Sequence, residues 1–573
     1  MRHRIFLGII LFFFAVLVAG LFYTQVVSHD VYYELSERNR VRVLPLEAPR
    51  GKIFDRKGRL LVSSRISFDI EVVTADIEDM VGVSGVLSDV FNINKDTLLE
   101  RMELARKQPF IPVKIIEDVE KDKAIQLEEI AVDLPGIIVT TRPRRNYIYK
   151  DAACRITGYL GKISEEELAR YKMYGYHMRD FVGKDGIERV YNDYLRGIDG
   201  GVQIEVDSRG RRLRTLAIKE PRPGRDLYLT VDAELQEFCN SILLDKKGAI
   251  VAIDPGTGAV LAIVSHPDFD PNAFVKPNNF KEVSRLLNDS TSYPMLNRAI
   301  SSAYPPGSVF KIVLATSALN ENKFTDLQTL TCQGSLMVGN RPFHCWKERG
   351  HGEIPMNDAI KYSCNVFFYQ LGIILGPELI SKYAFLFGFG KETGIDLPGE
   401  VSGFVPTVSW KQKKLRQPWF KGETANYSIG QGYLLVTPLQ VVRAMAVLAN
   451  GGNRVEPFVV DRIEDVRIEH PEPDHVNIKE DVVHTVKEAL KDVVNGHRGT
   501  GFYAKSEEVV ISGKTGTAQN PEGTSHAWFS GFAPFDNPKL CIVVFIEHGG
   551  KGGLDPARFA KSIFEEAKKL KIL

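Results

Sequence analysis

The chain has 573 residues, too many for a single hydrophobic core, which points to two to four domains. Hydrophobic residues make up 44% and charged residues 25%, a globular composition that excludes wholesale disorder. Lys plus Arg number 73 against 72 for Asp plus Glu, so the net charge of +1 gives no sign of the basic face that nucleic-acid binding needs.

The first element is the uncharged run from Ile5 to Tyr23, "IFLGIILFFFAVLVAGLFY", preceded by "MRHR". A membrane-spanning helix needs about 20 apolar residues, which this run supplies. Arg2 and Arg4 favour a cytoplasmic N-terminus. A cleaved signal peptide would end on a small-x-small site, but Ala19 and Gly20 are followed by Leu21, Phe22 and Tyr23. Residues 1–24 are therefore expected to form a short tail and a single membrane anchor, with everything after them on the outer side of the cytoplasmic membrane. The later apolar run "YLLVTPLQVVRAMAVLA" is interrupted by Pro438 and Arg443.

Residues 25–225 form the next expected domain. They contain strand-like runs ("FDIEVV", "GIIVTTRPRRNYI"), a charged helical stretch ("EEELARYKMYG"), and two turn-rich pieces, "APRGKIFDRKGRLL" and "GKDGIERVYNDYLRG". No reactive constellation is present there. After "PRPGRD" the texture changes, and residues 226–573 are expected to form a second domain. It opens with two β-rich runs joined by Pro255-Gly256-Thr257-Gly258, a hairpin signal. It closes with "VVISGKTGTAQ", "HAWFSGFAP" and "KLCIVVFIEHG", then a helical pattern, with helical periodicity in between. The expected fold class is α+β: one antiparallel sheet completed by both ends of the domain, with helices inserted.

The helical region opens with "PPGSVFKIVLATSALNEN". A helix starting near Ser308 would place Ser308 and Lys311, three apart, on one face. A serine hydroxyl needs a base to become a nucleophile, and a lysine neutralised by burial can be that base. A lone S-x-x-K is usually a solvated helix surface. Here it is the only S-x-x-K, and it is followed in order by the only S-x-N, Ser363-Cys364-Asn365, and the only K-T-G, Lys514-Thr515-Gly516, with Thr517 next.

This ordered triplet resembles the serine penicillin-recognising enzymes, which carry S-x-x-K, S-D-N and K-T-G. With the anchor, "RGKIFDRKGRLL", "GIERVYNDYLRG", "CWKERGHG" and "YSIGQGYLLVTPLQ", nearly the whole chain is similar to the class B high-molecular-weight penicillin-binding proteins of the cell-elongation (rod) system. The resemblance implies a peptidoglycan D,D-transpeptidase with an elongated, non-catalytic pedestal domain between anchor and catalytic domain. It implies Ser308 as nucleophile, Lys311 as its base and Ser363 as proton relay. Asn365 would hold the donor peptide, Lys514 would supply positive charge, and Thr515, Gly516 and Thr517 would line the carboxylate site. The backbone N–H groups of Ser308 and Thr517 would form the oxyanion hole. The implied partners are stem peptides, β-lactams, a membrane glycan polymerase and elongation scaffold proteins.

Two alternatives use the same serine. A β-lactamase would have to deliver water to the ester, and Glu423 in "GETANY" is a candidate for that step. A β-lactam sensor would need further membrane helices and a cytoplasmic effector, and four residues precede the apolar run.

Six cysteines remain to be explained in an exported protein, where disulfides are the usual state. Cys154, Cys239 and Cys541 are scattered. Cys332, Cys345 and Cys364 are crowded, with His351 among them at spacings of 13, 6 and 13 residues. Three Cys and one His are a common structural-zinc set. His344 is an alternative fourth ligand, and a disulfide between two of the three cysteines is the alternative chemistry. The family resemblance implies the metal: Zn²⁺ on Cys332, Cys345, His351 and Cys364, behind the S-x-N segment.

Overall fold

The computed structural model describes residues 2–32, 41–131, 134–171, 173, 175–178, 180–206, 212–520 and 523–573. The apolar N-terminal run forms the helix Arg2–Phe22, which widens into a π-turn over Tyr23–Val27. Residues His3–Val27 are long and apolar enough to cross a membrane, and none of that stretch is buried against the rest of the chain.

The remainder groups into two compact units that do not follow a single cut in the sequence. One comprises residues 64–144 and 196–224 together with the N-terminal 51; the other comprises 52–63, 145–195 and 225–573. One junction between the units falls at 224/225, and the two turn-rich stretches group mostly with the second unit.

In the first unit, Val41–Leu46, Gly200–Val206 and Arg212–Lys219 form a three-stranded antiparallel sheet. Helices Met80–Phe91 and Lys95–Ala105 start where Asp79 accepts the N–H of Gly82 and Asn94 accepts those of Asp96 and Thr97. Their apolar faces close on Ile70, Val72 and Ile116, with Leu87, Leu98 and Met102 fully buried. The charged stretch beginning at Glu165, in the second unit, is helical over Glu165–Tyr171; Lys172 and Tyr174 lie outside the described residues.

In the second unit, the turn of "RGKIFDRKGRLL" is built on Asp55. Its carboxylate accepts the N–H groups of Lys57 at 2.8 Å and Arg59 at 2.7 Å, and reaches Ala233 N at 3.3 Å. In "GIERVYNDYLRG", Glu188 is fully buried and accepts from Arg145 Nε at 2.5 Å. A buried pair of this kind adds little net stability, but losing one partner strands a charge.

The main sheet of this unit has five antiparallel strands: β1 (Gly248–Ile253), β2 (Val260–His266), β3 (Ser512–Asn520), β4 (Gly523–Ala533) and β5 (Leu540–Ile546). The order is β2-β1-β5-β4-β3, so the first strands of the domain pair with the last, as the sequence predicts. Every residue of β1 and β5 is buried, because helices cover both faces. Alternation assigns the faces: Ile250 and Ala252 join the core of the C-terminal helix Asp555–Lys569, while Val251 and Ile253 join the larger core containing Val441 and Met445. That second core holds the helix Pro438–Ala449, all twelve of whose residues are buried. Pro438 occupies its first turn, where no N–H is required, and Arg443 donates to the carbonyls of Gly388 and Thr393.

Candidate active site

The expected α-helix at Ser308 begins later. Ser308 lies in a 3₁₀ turn, Gly307–Phe310, and Lys311 opens the α-helix Lys311–Asn320. The tighter turn follows from its surroundings. Gly307 has φ +57°, and a Cβ there would lie 2.7 Å from the carbonyl oxygen of Thr517. Across the contact, a Cβ on Gly516 would lie 2.8 Å from Pro306 O and from Val309 Cγ2. The S-x-x-K turn and the K-T-G strand thus meet backbone to backbone. The lead-in is pinned as well: Trp528, fully buried on β4, donates from Nε1 to Pro305 O at 3.1 Å, and Tyr304 Oη donates to Glu547 at 2.5 Å. The Ser308 side chain is half-buried and has no hydrogen-bond partner among the described residues, so its hydroxyl is uncommitted.

Lys311 is completely buried. Its Nζ donates to Ser363 O at 2.8 Å, Ser363 Oγ at 3.2 Å and Asn365 Oδ1 at 2.8 Å. Burial lowers its pKa to about 8, with the nearby thiols of Cys364 and Cys345 opposing the shift. Lys514, equally buried, donates to the same Ser363 Oγ at 3.0 Å. Burial, and then the charge of Lys311, hold Lys514 well below the ordinary lysine range. The two amines therefore disfavour each other's protonation, which weakens the positive charge that the resemblance implies for Lys514.

The second motif is a helix–helix junction. The helix Met356–Lys361 ends when Ser363 N donates to Ile360 O and Cys364 N to Ala359 O. That is the Schellman pattern, with Ser363 in the left-handed position at φ +53° where glycine is usual. Such a conformation costs about 1–3 kcal/mol for a residue with a side chain, which the surrounding bonds must offset. Cys364 then caps the next helix, Asn365–Leu375, its sulfur accepting the N–H of Phe367 at 3.4 Å. The reversal places Ser363 Oγ and Asn365 Oδ1 on Lys311 while the Cys364 thiol faces the other way, fully buried.

Behind that junction the four sequence-predicted ligands converge. The ligand atoms of Cys332, Cys345, His351 and Cys364 lie within 4.8 Å of one another. His351 Nδ1 is 3.7 Å from Cys332 Sγ and 3.6 Å from Cys345 Sγ, and Cys345 and Cys364 sulfurs are 4.0 Å apart. The thiol contact with Cys364 lowers the pKa of Cys345 and raises that of Cys364, the expected result for a thiol donating to a thiolate. All six cysteines are free. His344, the alternative ligand, is exposed on the neighbouring hairpin, where its carbonyl accepts from Tyr369 at 3.4 Å.

Sequence comparison matches residues 248–565 to the penicillin binding protein transpeptidase domain and residues 45–229 to the penicillin-binding protein dimerisation domain. The chain belongs to the penicillin-binding protein transpeptidase family. Peptidoglycan D,D-transpeptidase MrdA of Haemophilus influenzae is 33% identical over 588 residues, covering 98% of this chain and 90% of that one. The complex between the penicillin-binding protein PBP2 and MreC from Helicobacter pylori matches with a TM-score of 0.82 and 28% identity, over 93% of this chain and 99% of that one. A structure describing coordination of polymerization and crosslinking by a peptidoglycan synthase complex matches with a TM-score of 0.77 and 31% identity, over 98% of this chain and 97% of that one.

In this penicillin-binding protein the third motif has a partner that sequence reasoning did not find. Thr515 Oγ1 donates to Thr500 Oγ1 at 3.0 Å, and Thr500 Oγ1 in turn donates to Lys361 O at 3.3 Å. Thr500 N also donates to Lys361 O at 3.3 Å. Thr500 therefore ties the K-T-G strand to the end of the helix that delivers Ser363. No local signal marks "HRGTGF", which reads as an ordinary glycine turn. Thr517 is exposed at the mouth, and its hydroxyl accepts from Gly552 N at 3.3 Å.

Proposed function

We infer that this chain is a peptidoglycan D,D-transpeptidase working through a serine acyl-enzyme, and the carrying observation is Ser363 Oγ held between Lys311 and Lys514. In its neutral form Lys311 takes the Ser308 proton as the serine oxygen attacks the D-Ala-D-Ala carbonyl. Backbone N–H groups of Ser308 and Thr517 stabilise the oxyanion, an effect worth roughly 10²–10³ in rate per donor in other acyl transferases. Collapse breaks the peptide bond, and the proton passes through Ser363 to the departing D-alanine amine. Asn365, with its Oδ1 taken by Lys311 and one amide N–H directed at His344 O at 3.5 Å, offers its other N–H to the donor peptide. Thr517 and the backbone of Gly516 receive the terminal carboxylate, while Thr515, whose hydroxyl donates to Thr500 Oγ1, anchors the strand beside them. An amine from a second stem peptide then attacks the ester and restores Ser308. A β-lactam enters the same cycle and stops at the acyl stage.

The hydrolase reading is disfavoured by Glu423. Its carboxylate binds Lys411 Nζ and accepts Phe420 N at 2.8 Å, so it is committed to the start of its own helix.

We further propose that Zn²⁺ is held by Cys332, Cys345, His351 and Cys364. Zn–S bonds of about 2.3 Å in a tetrahedron require sulfur–sulfur separations of about 3.8 Å, close to the spacings present and far from a disulfide's about 2.05 Å. The ion would act as a structural cross-link behind the Ser363 junction and takes no part in acyl transfer. The apolar N-terminal helix supports a single-pass anchor with the catalytic domain outside the cytoplasmic membrane. The relatives found with MreC and within a synthase complex support an elongation scaffold and a glycan polymerase as partners.

The test is covalent labelling of the purified chain by a fluorescent penicillin, followed by cross-linking of nascent glycan made from lipid II. A persistent adduct with cross-linked product supports the reading. Rapid loss of the adduct by hydrolysis would favour a β-lactamase.

A further inference from the structure

Between Glu400 and Glu423 the chain has no acidic residue and five cations: Lys411, Lys413, Lys414, Arg416 and Lys421. Lys411 is buried, bound to Glu423, with its Nζ 4.6 Å from the ring centroid of Phe420. The other four are exposed, and none has a carboxylate within ion-pair distance among the described residues. A run of surface lysines is ordinarily only a solvated face. Two observations separate this one from that case. First, the segment is held: Thr407 Oγ1 accepts Trp410 N at 3.1 Å, and Trp419 Nε1 donates to Thr424 Oγ1 at 2.8 Å. Second, a chain of contacts links its start to the turn that carries the nucleophile. Gly307 N donates to Gly430 O at 2.9 Å, and three residues on, the half-exposed ring of Tyr433 meets Trp410 at 5.2 Å, directly before Lys411.

Gly307 therefore has the K-T-G strand on one side, through Thr517 O, and the Gly430 turn on the other. The donor's terminal carboxylate belongs to the K-T-G side. The second substrate must approach the acyl carbonyl from elsewhere, and whatever residue supplies its amine, an acceptor peptide keeps a C-terminal carboxylate of its own. We propose that Tyr433, Trp410 and the cations Lys413, Lys414, Arg416 and Lys421 form the seat of the acceptor strand, a carboxylate-bearing peptide. The assignment rests on the transpeptidase reading above. Its aromatic rings offer flat apolar contact, and its cations raise the local concentration of an anionic acceptor. In the step served, the acceptor nitrogen bonds to the acyl carbon, the bond from that carbon to Ser308 Oγ breaks, and the amine's proton returns to the serine oxygen.

The experiment uses the full-length chain in detergent micelles, a thioester donor ending in D-alanine, and two acceptors with the same amine, one a free carboxylate and one its amide. The variant carries K413E, K414E, R416E and K421E, and penicillin acylation, a donor half-reaction, reports that it is folded. With the carboxylate acceptor, the ratio of aminolysis to hydrolysis should fall about tenfold, while with the amide it should hold. Added salt should erode the wild-type preference for the carboxylate. If acylation also falls, the four-glutamine variant, which removes charge without reversing it, replaces the first. An unchanged ratio with the carboxylate acceptor overturns the proposal. A response of the wild type only to phosphatidylglycerol in the micelle, with that ratio unchanged, also overturns it and gives the patch to lipid headgroups. Failure of the transpeptidase reading itself looks different: Ser308→Ala would then take up penicillin as well as the wild type.

Discussion

Lys311 and Lys514 donate to one acceptor, the Oγ of Ser363, at 3.2 and 3.0 Å, from residues more than two hundred positions apart. Both amines are fully buried, so protonating both would set two like charges on one hydroxyl in a medium that screens poorly. The arrangement makes one neutral amine available for base work.

Acylation should therefore depend on pH through Lys311. The neutral form is the base, so the second-order rate with penicillin should rise as pH approaches about 8 and level above it. The stability sign follows from the same shift. The folded pKa lies below the unfolded 10.5, so the folded chain binds fewer protons between about 8 and 10.5, and this burial cost is relieved as pH rises through that window. A flat acylation profile between pH 6 and 9 would remove Lys311 from the base role.

Ser308→Ala should abolish the covalent penicillin adduct with little change in melting temperature, since the half-buried side chain makes no hydrogen bond among the described residues. Lys311→Ala should lose nearly as much labelling, because nucleophile and base act as one unit. Intact-mass spectrometry after penicillin treatment decides it; an adduct at full yield on Ser308→Ala places the nucleophile elsewhere.

Thr500 and Thr515 should be coupled. In a double-mutant cycle with Thr500→Val and Thr515→Val, the interaction energy from thermal unfolding should be about 1 kcal/mol. Strictly additive effects would mean that the hydroxyl pair at 3.0 Å contributes nothing.

Metal content gives a direct readout for the cysteine cluster. Freshly purified protein should carry about one zinc per chain, and Cys364→Ser should lose it. That variant should also acylate more slowly, because the cap that turns Ser363 onto Lys311 is weakened. Protein free of zinc, with two of Cys332, Cys345 and Cys364 unreactive until reduced, would instead favour a disulfide.

Glu188→Ala should destabilise by about 3–5 kcal/mol, since it removes the fully buried carboxylate that accepts from Arg145 Nε. Replacing both residues with leucine or methionine should recover much of that loss. Equilibrium unfolding of the single and paired variants separates the cost of a stranded charge from the worth of the pair.

Local patterns along the chain were enough to reveal several elements. The apolar run at the N-terminus declares its helix through length and composition. The hairpin at Pro255 declares itself through turn chemistry, and the strands through alternation that the structure resolves into two cores. The three motifs stood out as single copies of short patterns in a fixed order, and the family resemblance implied their roles and the set Cys332, Cys345, His351 and Cys364, where spacing left His344 and a disulfide open. Tertiary structure decided the rest. The 3₁₀ turn at Ser308 exists because Gly307 and Gly516 let two backbones touch, a contact between segments some two hundred residues apart. Ser363 takes a left-handed conformation because two helices meet there, although its own preference is otherwise. Thr500 finds Thr515 only once the turn after a long helix folds back on the K-T-G strand. The lowered pKa of Lys311 has no counterpart in the sequence, because it comes from burial, which is a property of the packed chain. Spacing along the chain is read residue by residue, whereas desolvation and close backbone approach arise only when distant segments are brought together.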